Sequence, residues 1–218
     1  GFGFINGENK LSERFGVELS MADHLQKKYP NDQIAIIKYS RGGTSIDSMA
    51  AGNAGCWEPD YQGKNGINQY DHFLATLAEA FSNNDIDGNG QKDILIPQGI
   101  VWMQGESDGA YTEEIALKYH VHLKRLMDLM RASSFKDDLP VVIGKISDSY
   151  PEDQGLMWKY LDLIQYAQEK YCEEEKNASI IRSTKDYKYS DPWHYDSKGY
   201  IELGEKFGEA LYLLNLHK

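Results

Sequence analysis

Residues 101–110 read VWMQGESDGA: Val101-Trp102-Met103-Gln104-Gly105-Glu106-Ser107-Asp108-Gly109-Ala110. An apolar run leads into the stretch and a helix-like pattern leads out, so it reads as a strand-to-helix turn. Taken literally, Gly105-Glu106-Ser107-Asp108-Gly109 matches G-x-S-x-G, the sharp turn that presents a nucleophilic serine in α/β-hydrolases. Either Ser107 is such a nucleophile or this turn does another job, and the fold is read differently in the two cases.

Working outward, short apolar runs alternate with amphipathic segments. Residues 33–39, 99–103, 139–146 and 179–183 are apolar runs bounded by turn signals, which predicts buried strands. Residues 17, 21 and 25 form a helix face that ends before Pro30. Helices are also predicted over 70–81, 111–130, 156–170 and 197–214. This alternation predicts an α/β fold, a three-layer sandwich with a central parallel sheet and helices on both faces. No repeat or linker interrupts residues 1–218, so a single domain is expected. In such folds sites lie at the C-terminal ends of strands. That singles out the loops at 40–45, 104–108 and 186–196.

Composition narrows the class. Hydrophobic residues make up 41% and charged residues 26%, with no apolar run long enough for a membrane span. The net charge of −11 argues against nucleic acid or an anionic membrane as the main partner. Cys56 and Cys172 lack metal-site spacing and read as free thiols.

Three stretches carry candidate chemistry. In Ser190-Asp191-Pro192-Trp193-His194-Tyr195 a carboxylate precedes an imidazole by three residues. In a turn, Asp191 can then hold one ring nitrogen of His194 and leave the other as general base. After the strand at 33–39, Gly42-Gly43-Thr44 can bring backbone N–H groups close to a ligand, as an oxyanion hole needs. The third, Asp85-Ile86-Asp87-Gly88-Asn89-Gly90-Gln91-Lys92-Asp93, resembles the start of an EF-hand-type calcium loop. Asp85, Asp87, Asn89 and Asp93 supply oxygens, Gln91 a carbonyl, and Gly90 the turn. The acid expected at the twelfth position is replaced by Ile96. A solvated glycine-rich turn is the plainer alternative to a structural Ca2+ site.

In order along the chain, Tyr39-Ser40-Arg41-Gly42-Gly43-Thr44-Ser45, then Trp102-Met103-Gln104-Gly105-Glu106-Ser107-Asp108, then Asp191-Pro192-Trp193-His194 resemble the SGNH hydrolases. The likeness is to sialate O-acetylesterase and acetylxylan esterase-like carbohydrate esterases, many of them bacterial. Phe15-Gly16-Val17-Glu18-Leu19 is similar to that family's F-G-P-E-L, with Val17 in place of Pro. The resemblance implies a flavodoxin-like SGNH hydrolase fold and a carbohydrate O-acetylesterase acting on an acetylated sugar such as sialic acid or xylan, with no required cofactor. It implies His194 as base, Asp191 as its partner, and the Gly43 N–H and Gln104 amide as oxyanion donors. Glu106 and Asp108 become supporting residues, and so does Ser107. Trp57 and Trp193 are candidate sugar contacts; Trp102 is expected in the core.

The family's nucleophile is the serine of a G-Q-S-N motif ending its first, central strand, and residues 1–218 contain no G-Q-S-N. The expectation is that an upstream segment or a second chain supplies strand and serine, and that residues 1–218 alone are inactive. A sheet without its central strand leaves backbone groups unpaired and helix faces uncovered. Two alternatives stand beside this one: a catalytically silent carbohydrate-binding relative, and an α/β-hydrolase with Ser107 as nucleophile. Against the latter, Glu106 and Asp108 set two negative charges beside a developing oxyanion. A secreted or periplasmic setting is expected over a cytoplasmic one.

Overall fold

The structure is a computed structural model that describes residues 2–5, 8–11, 15–64, 66–83, 85–150 and 155–216. Three parallel strands, β3 (Ile100–Trp102), β4 (Val141–Gly144) and β5 (Ala178–Ile181), form a sheet in the order β3-β4-β5. Each matches an apolar run in the sequence. An antiparallel pair, β1 (Phe2–Ile5) and β2 (Glu8–Leu11), lies at the start of the chain, where the sequence reading assigned no element.

Helices cover both faces of the sheet, as the alternating pattern requires. Successive β4 side chains point to opposite sides, and all are buried. Val141 and Ile143 join the core under α4 (Glu113–Ser133) and α5 (Leu161–Glu174). Val142 joins Met21, Leu203 and Phe207 under α1 (Glu18–Lys28) and α6 (Ser197–Leu216). The first of these cores also takes Tyr70 from α2 (Gln69–Ser82). Asn68 caps α2 by accepting from Asp71 N at 3.2 Å.

Two expectations change. The helix predicted over 111–130 is α4, and the stretch before it, read as a turn, holds a separate short helix α3 (Glu106–Tyr111), the two broken at Thr112. Thr112 is extended, and its hydroxyl accepts from Ile115 N at 3.3 Å to cap α4. The glycine-rich turn therefore feeds a separate six-residue helix. Residues 33–39 form no helix and belong to no ladder among the described residues. With residues 94–104 they line one cleft of about 2060 Å³, whose walls include Met21 and Phe207 on one side and Leu77 and Met130 on the other. Ile36 and Ile37, read as buried strand residues, are 37% and 39% exposed there.

The two helices under β5 and β4 approach closely at Gly204, where an added Cβ would overlap Ser20 Oγ and the Val17 carbonyl. Overpacking of this kind costs about 1–3 kcal/mol. Gly204→Ala is expected to lower the unfolding free energy from urea titration by that amount, with a lower midpoint and an unaltered far-UV spectrum of the folded protein; an unchanged midpoint would contradict the packing.

Candidate active site

The cleft gathers Gly43, Gln104, Glu106, Ser107, Trp193 and His194 from three loops at the C-terminal side of the sheet. The loop after α5 and β5 brings the imidazole. Asp191 and His194 meet as their spacing predicts, with both carboxylate oxygens 2.8 Å from His194 Nδ1. One of those oxygens also accepts from the backbone N–H of Trp193 and of His194, each at 2.9 Å. These donors, Trp193 N–H first and the imidazole next, hold the Asp191 carboxyl below the ordinary carboxylate range. Nδ1 is thereby engaged, which leaves Nε2 as the working nitrogen.

The opposite side of the site is a buried polar node around Gln104 and Asp108, which are 6% and 1% exposed. Asp108, in the first turn of α3, accepts from Ile46 N at 3.1 and 3.0 Å, from Asp47 N at 2.9 Å and from Gln104 Nε2 at 2.7 Å. Gln104 Nε2 also donates to the Thr44 carbonyl at 2.9 Å. The Tyr119 hydroxyl donates to the Gln104 carbonyl at 2.6 Å and lies 3.1 Å from Oε1. Gln168 Nε2 donates to the same carbonyl at 3.0 Å. Both hydrogens of the Gln104 amide are therefore engaged, and a flipped amide would point Oε1 at a carboxylate and a carbonyl. Gly105, at φ 147°, makes the turn between β3 and α3, and a Cβ there would overlap Ile164 and crowd Ile146.

Gly43 sits at the cleft rim with φ 73°, a conformation natural to glycine. Ser107 lies within α3 and lines the cleft. Trp193 is 62% exposed beside His194. Trp57, a candidate sugar contact from sequence, is 4% exposed. Its indole packs edge-on against Trp102 and Tyr39 and donates to Thr44 Oγ1 at 3.0 Å. It is a core residue that props the glycine loop. Trp102 is in the core as expected. Glu18 pairs with Lys38 at 2.8 Å and braces the run leading to that loop. Cys56 and Cys172 are free; burial pushes their thiols to about 11 and about 12, which rules them out as thiolate nucleophiles at neutral pH.

The calcium-loop residues also converge. Asp85, Asp87 and Asp93 each offer an oxygen, all within 4.8 Å of one another. Loop N–H groups bond around them, Gly90 N to Asp85 at 3.0 Å and Ile86 N to Asp93 at 2.6 Å. Asp85 Oδ1 is shielded from solvent and has no hydrogen-bond partner. Asn89 and Gln91 are tied to each other instead, Gln91 N donating to Asn89 Oδ1 at 2.7 Å.

Sequence reasoning did not find Thr44, Tyr119 or Gln168 as supports, because they reach the node from elements distant in sequence. For Tyr119 and Gln168 the only signal is a polar group on an otherwise apolar helix face; Thr44 sits in the glycine loop itself.

The chain is thus an α/β sandwich that brings an Asp-His pair and a glycine loop to one cleft. Two solved structures share the fold. One is a protein from Arabidopsis thaliana, with TM-score 0.66 and 18% identity over 94% of this chain and 76% of that one. The other is XAC1771, a carbohydrate acetylesterase from Xanthomonas citri, with TM-score 0.62 and 16% identity over 93% of this chain and 41% of that one. No curated protein matches the sequence. The family model for carbohydrate esterase, sialic acid-specific acetylesterase, matches residues 5–213, and the chain belongs to that family. Among the described residues no helix is long and apolar enough to cross a membrane.

Glu106 gives this site a pH signature. Burial pushes its carboxyl up, and the neighbouring Asp108 adds to the rise; the N–H groups of Glu106 and Gly105 and the His194 imidazole oppose it. The folded state therefore holds the Glu106 proton more tightly than the unfolded state does. Its contribution to stability is complete below the ordinary value of 4.5 and is lost as pH rises through the raised value. Glu106→Gln cannot ionise and escapes that loss. Urea midpoints of the two proteins are expected to diverge in favour of the variant as pH rises above 4.5 and then to level off; a pH-independent difference would contradict the assignment.

Proposed function

We propose that this protein is a carbohydrate O-acetylesterase that works by a Ser-His-Asp mechanism, with its nucleophilic serine on a strand that fills the cleft between residues 33–39 and β3. The observation that carries this reading is the Asp191–His194 pair, with Nδ1 engaged, on the same cleft as Gly43 and Gln104. Support for the strand comes from the cleft itself. Its volume exceeds the roughly 300–1,000 Å³ of ordinary ligand sites, and residues 33–39 and β3 border it.

In the reaction, the serine Oγ attacks the acetyl carbonyl and its proton passes to His194 Nε2. Asp191 stabilises the imidazolium and fixes the tautomer. The Gly43 N–H and the Gln104 amide face the oxyanion. For Gln104 to donate, its bond to the Thr44 carbonyl opens, while the bond to Asp108 keeps the amide oriented. The sugar oxygen leaves with the proton from His194. Water then gives a proton to His194 and hydrolyses the acetyl-enzyme, releasing acetate and the free serine. Trp193 offers an exposed indole for the sugar ring. Sialosides and xylan are the substrate classes to try first, and a secreted or periplasmic setting suits both.

Ser107 is a support in this scheme and not the nucleophile. The full protein should hydrolyse an acetylated sugar; His194→Ala should lower kcat/KM by at least about 1,000-fold, and Ser107→Ala by less than about 10-fold. Loss of turnover in Ser107→Ala, with His194→Ala equally inactive, would instead favour the elbow reading. A parent protein that binds acetylated sugar without turnover would favour the silent relative.

We also propose a structural Ca2+ held by Asp85, Asp87, Asn89, the Gln91 carbonyl and Asp93. The shielded, unpartnered Asp85 Oδ1 supports it, since a desolvated carboxylate oxygen is costly without a donor or cation. Calcium chloride at millimolar levels should raise Tm, and Asp93→Asn should abolish the rise. An unchanged Tm would overturn the proposal.

A further inference from the structure

The loop that carries Asp191 and His194 is closed at its base. Ser190 N donates to the His194 carbonyl at 2.8 Å, and Asp196 N to the Lys188 carbonyl at 2.7 Å. Tyr189 and Tyr195 face each other across this base as a bridge pair, with ring centroids 4.8 Å apart. Both phenols run to one residue of the neighbouring loop, Ser147, just beyond β4. Tyr195 OH is 2.7 Å and Tyr189 OH 2.8 Å from Ser147 Oγ. Tyr189 OH also donates to the Ser147 carbonyl at 2.8 Å, and Ser147 Oγ donates to the Thr184 carbonyl at 3.0 Å.

Three hydroxyl protons serve these four contacts, so the approach of Tyr189 OH to Ser147 Oγ shares the proton that Tyr189 gives the Ser147 carbonyl. The Ser147 proton goes to Thr184 and the Tyr189 proton to the Ser147 carbonyl, so Ser147 Oγ accepts from Tyr195. Burial raises both phenol pKa values, so both keep the protons they donate. A second tie holds the loop tip, where Ser149 Oγ donates to the Pro192 carbonyl at 2.7 Å. His194 itself makes no such tie through its ring beyond Asp191, and its side chain is 47% exposed.

We infer that Ser147 is a positioning residue for the reaction, fixing both ends of the Asp191–His194 loop to the end of β4 and so setting where His194 Nε2 meets the nucleophile. This rests on the esterase reading above. A misplacement of about 1 Å far from the chemistry can cost 100-fold in rate. The pair Asp191–His194 lies wholly within the loop, so it moves as a unit and keeps its own geometry.

The test is Ser147→Ala in the full protein, with Tyr195→Phe as a second variant that removes only the phenol hydroxyl. Three measurements are needed: steady-state kinetics on an acetylated sugar, the pH dependence of kcat/KM, and site-resolved amide exchange. The expected result is a fall in kcat of about 10- to 100-fold with KM within about twofold. The acid limb of the pH profile should stay in place, because the Asp191–His194 pair is intact. Exchange should rise at the Ser190 and Asp196 amides and not in β4 or α6. A kcat within twofold of the parent, or a rise in exchange spread over the whole fold, would overturn the inference. If parent and His194→Ala are equally inactive, the esterase reading fails on its own. The exchange data then still decide whether Ser147 holds the loop: protected Ser190 and Asp196 amides in both variants would overturn that too.

Discussion

Asp108 is a carboxylate removed from water, and the two loops that build one side of the site hang on it. An ion this buried is tolerated only when donors surround it, and here Ile46 N, Asp47 N and Gln104 Nε2 do so. Two of those donors belong to the segment that carries Gly43, and the third to the end of β3. Burial still pushes the Asp108 carboxyl up, against the pull of those donors. Breaking the cluster leaves a buried charge or buried N–H groups without partners, which costs several kcal/mol. The glycine loop, the strand end and α3 therefore hold one arrangement together.

The two halves of the site are built on different physical terms. The Gln104–Asp108 half is buried and fully hydrogen-bonded, and Tyr119 and Gln168 reinforce it from α4 and α5. The Asp191–His194 half is exposed, and its tie to the core runs through hydroxyl groups on tyrosine and serine. Electrostatic preorganisation needs rigid dipoles where charge develops, which suits the first half. A base that must accept and return a proton, and let water and product pass, suits the second.

Much of this was legible in sequence because it depends on local spacing. A carboxylate three residues before an imidazole meets it within one turn, and Asp191 and His194 do so. Apolar runs at 99–103, 139–146 and 179–183 became β3, β4 and β5, since burial on both faces demands them. The remainder depends on partners distant in sequence. Nothing near Trp57 says whether its indole faces solvent; contact with Trp102 and Tyr39 decides it. Likewise the engagement of both Gln104 hydrogens needs Thr44 and Asp108, one of them 60 residues away. Residues 33–39 are apolar enough for a strand, but a strand needs a ladder partner as well as composition.

That last point bears on Ser107. A nucleophile at the start of α3 would stand between Glu106, half-buried on the cleft, and the buried Asp108. Their charges oppose the negative oxygen of a tetrahedral intermediate wherever the dielectric is low. The proposed nucleophile lies instead on a strand in the cleft, which would also give residues 33–39 and the edge of β3 backbone partners. On the proposed reading, the cleft between residues 33–39 and β3 holds that strand, and the electrostatic conflict at the G-x-S-x-G turn does not arise. Asp108 then does what its hydrogen bonds indicate, which is to hold Gln104 and the glycine loop in register.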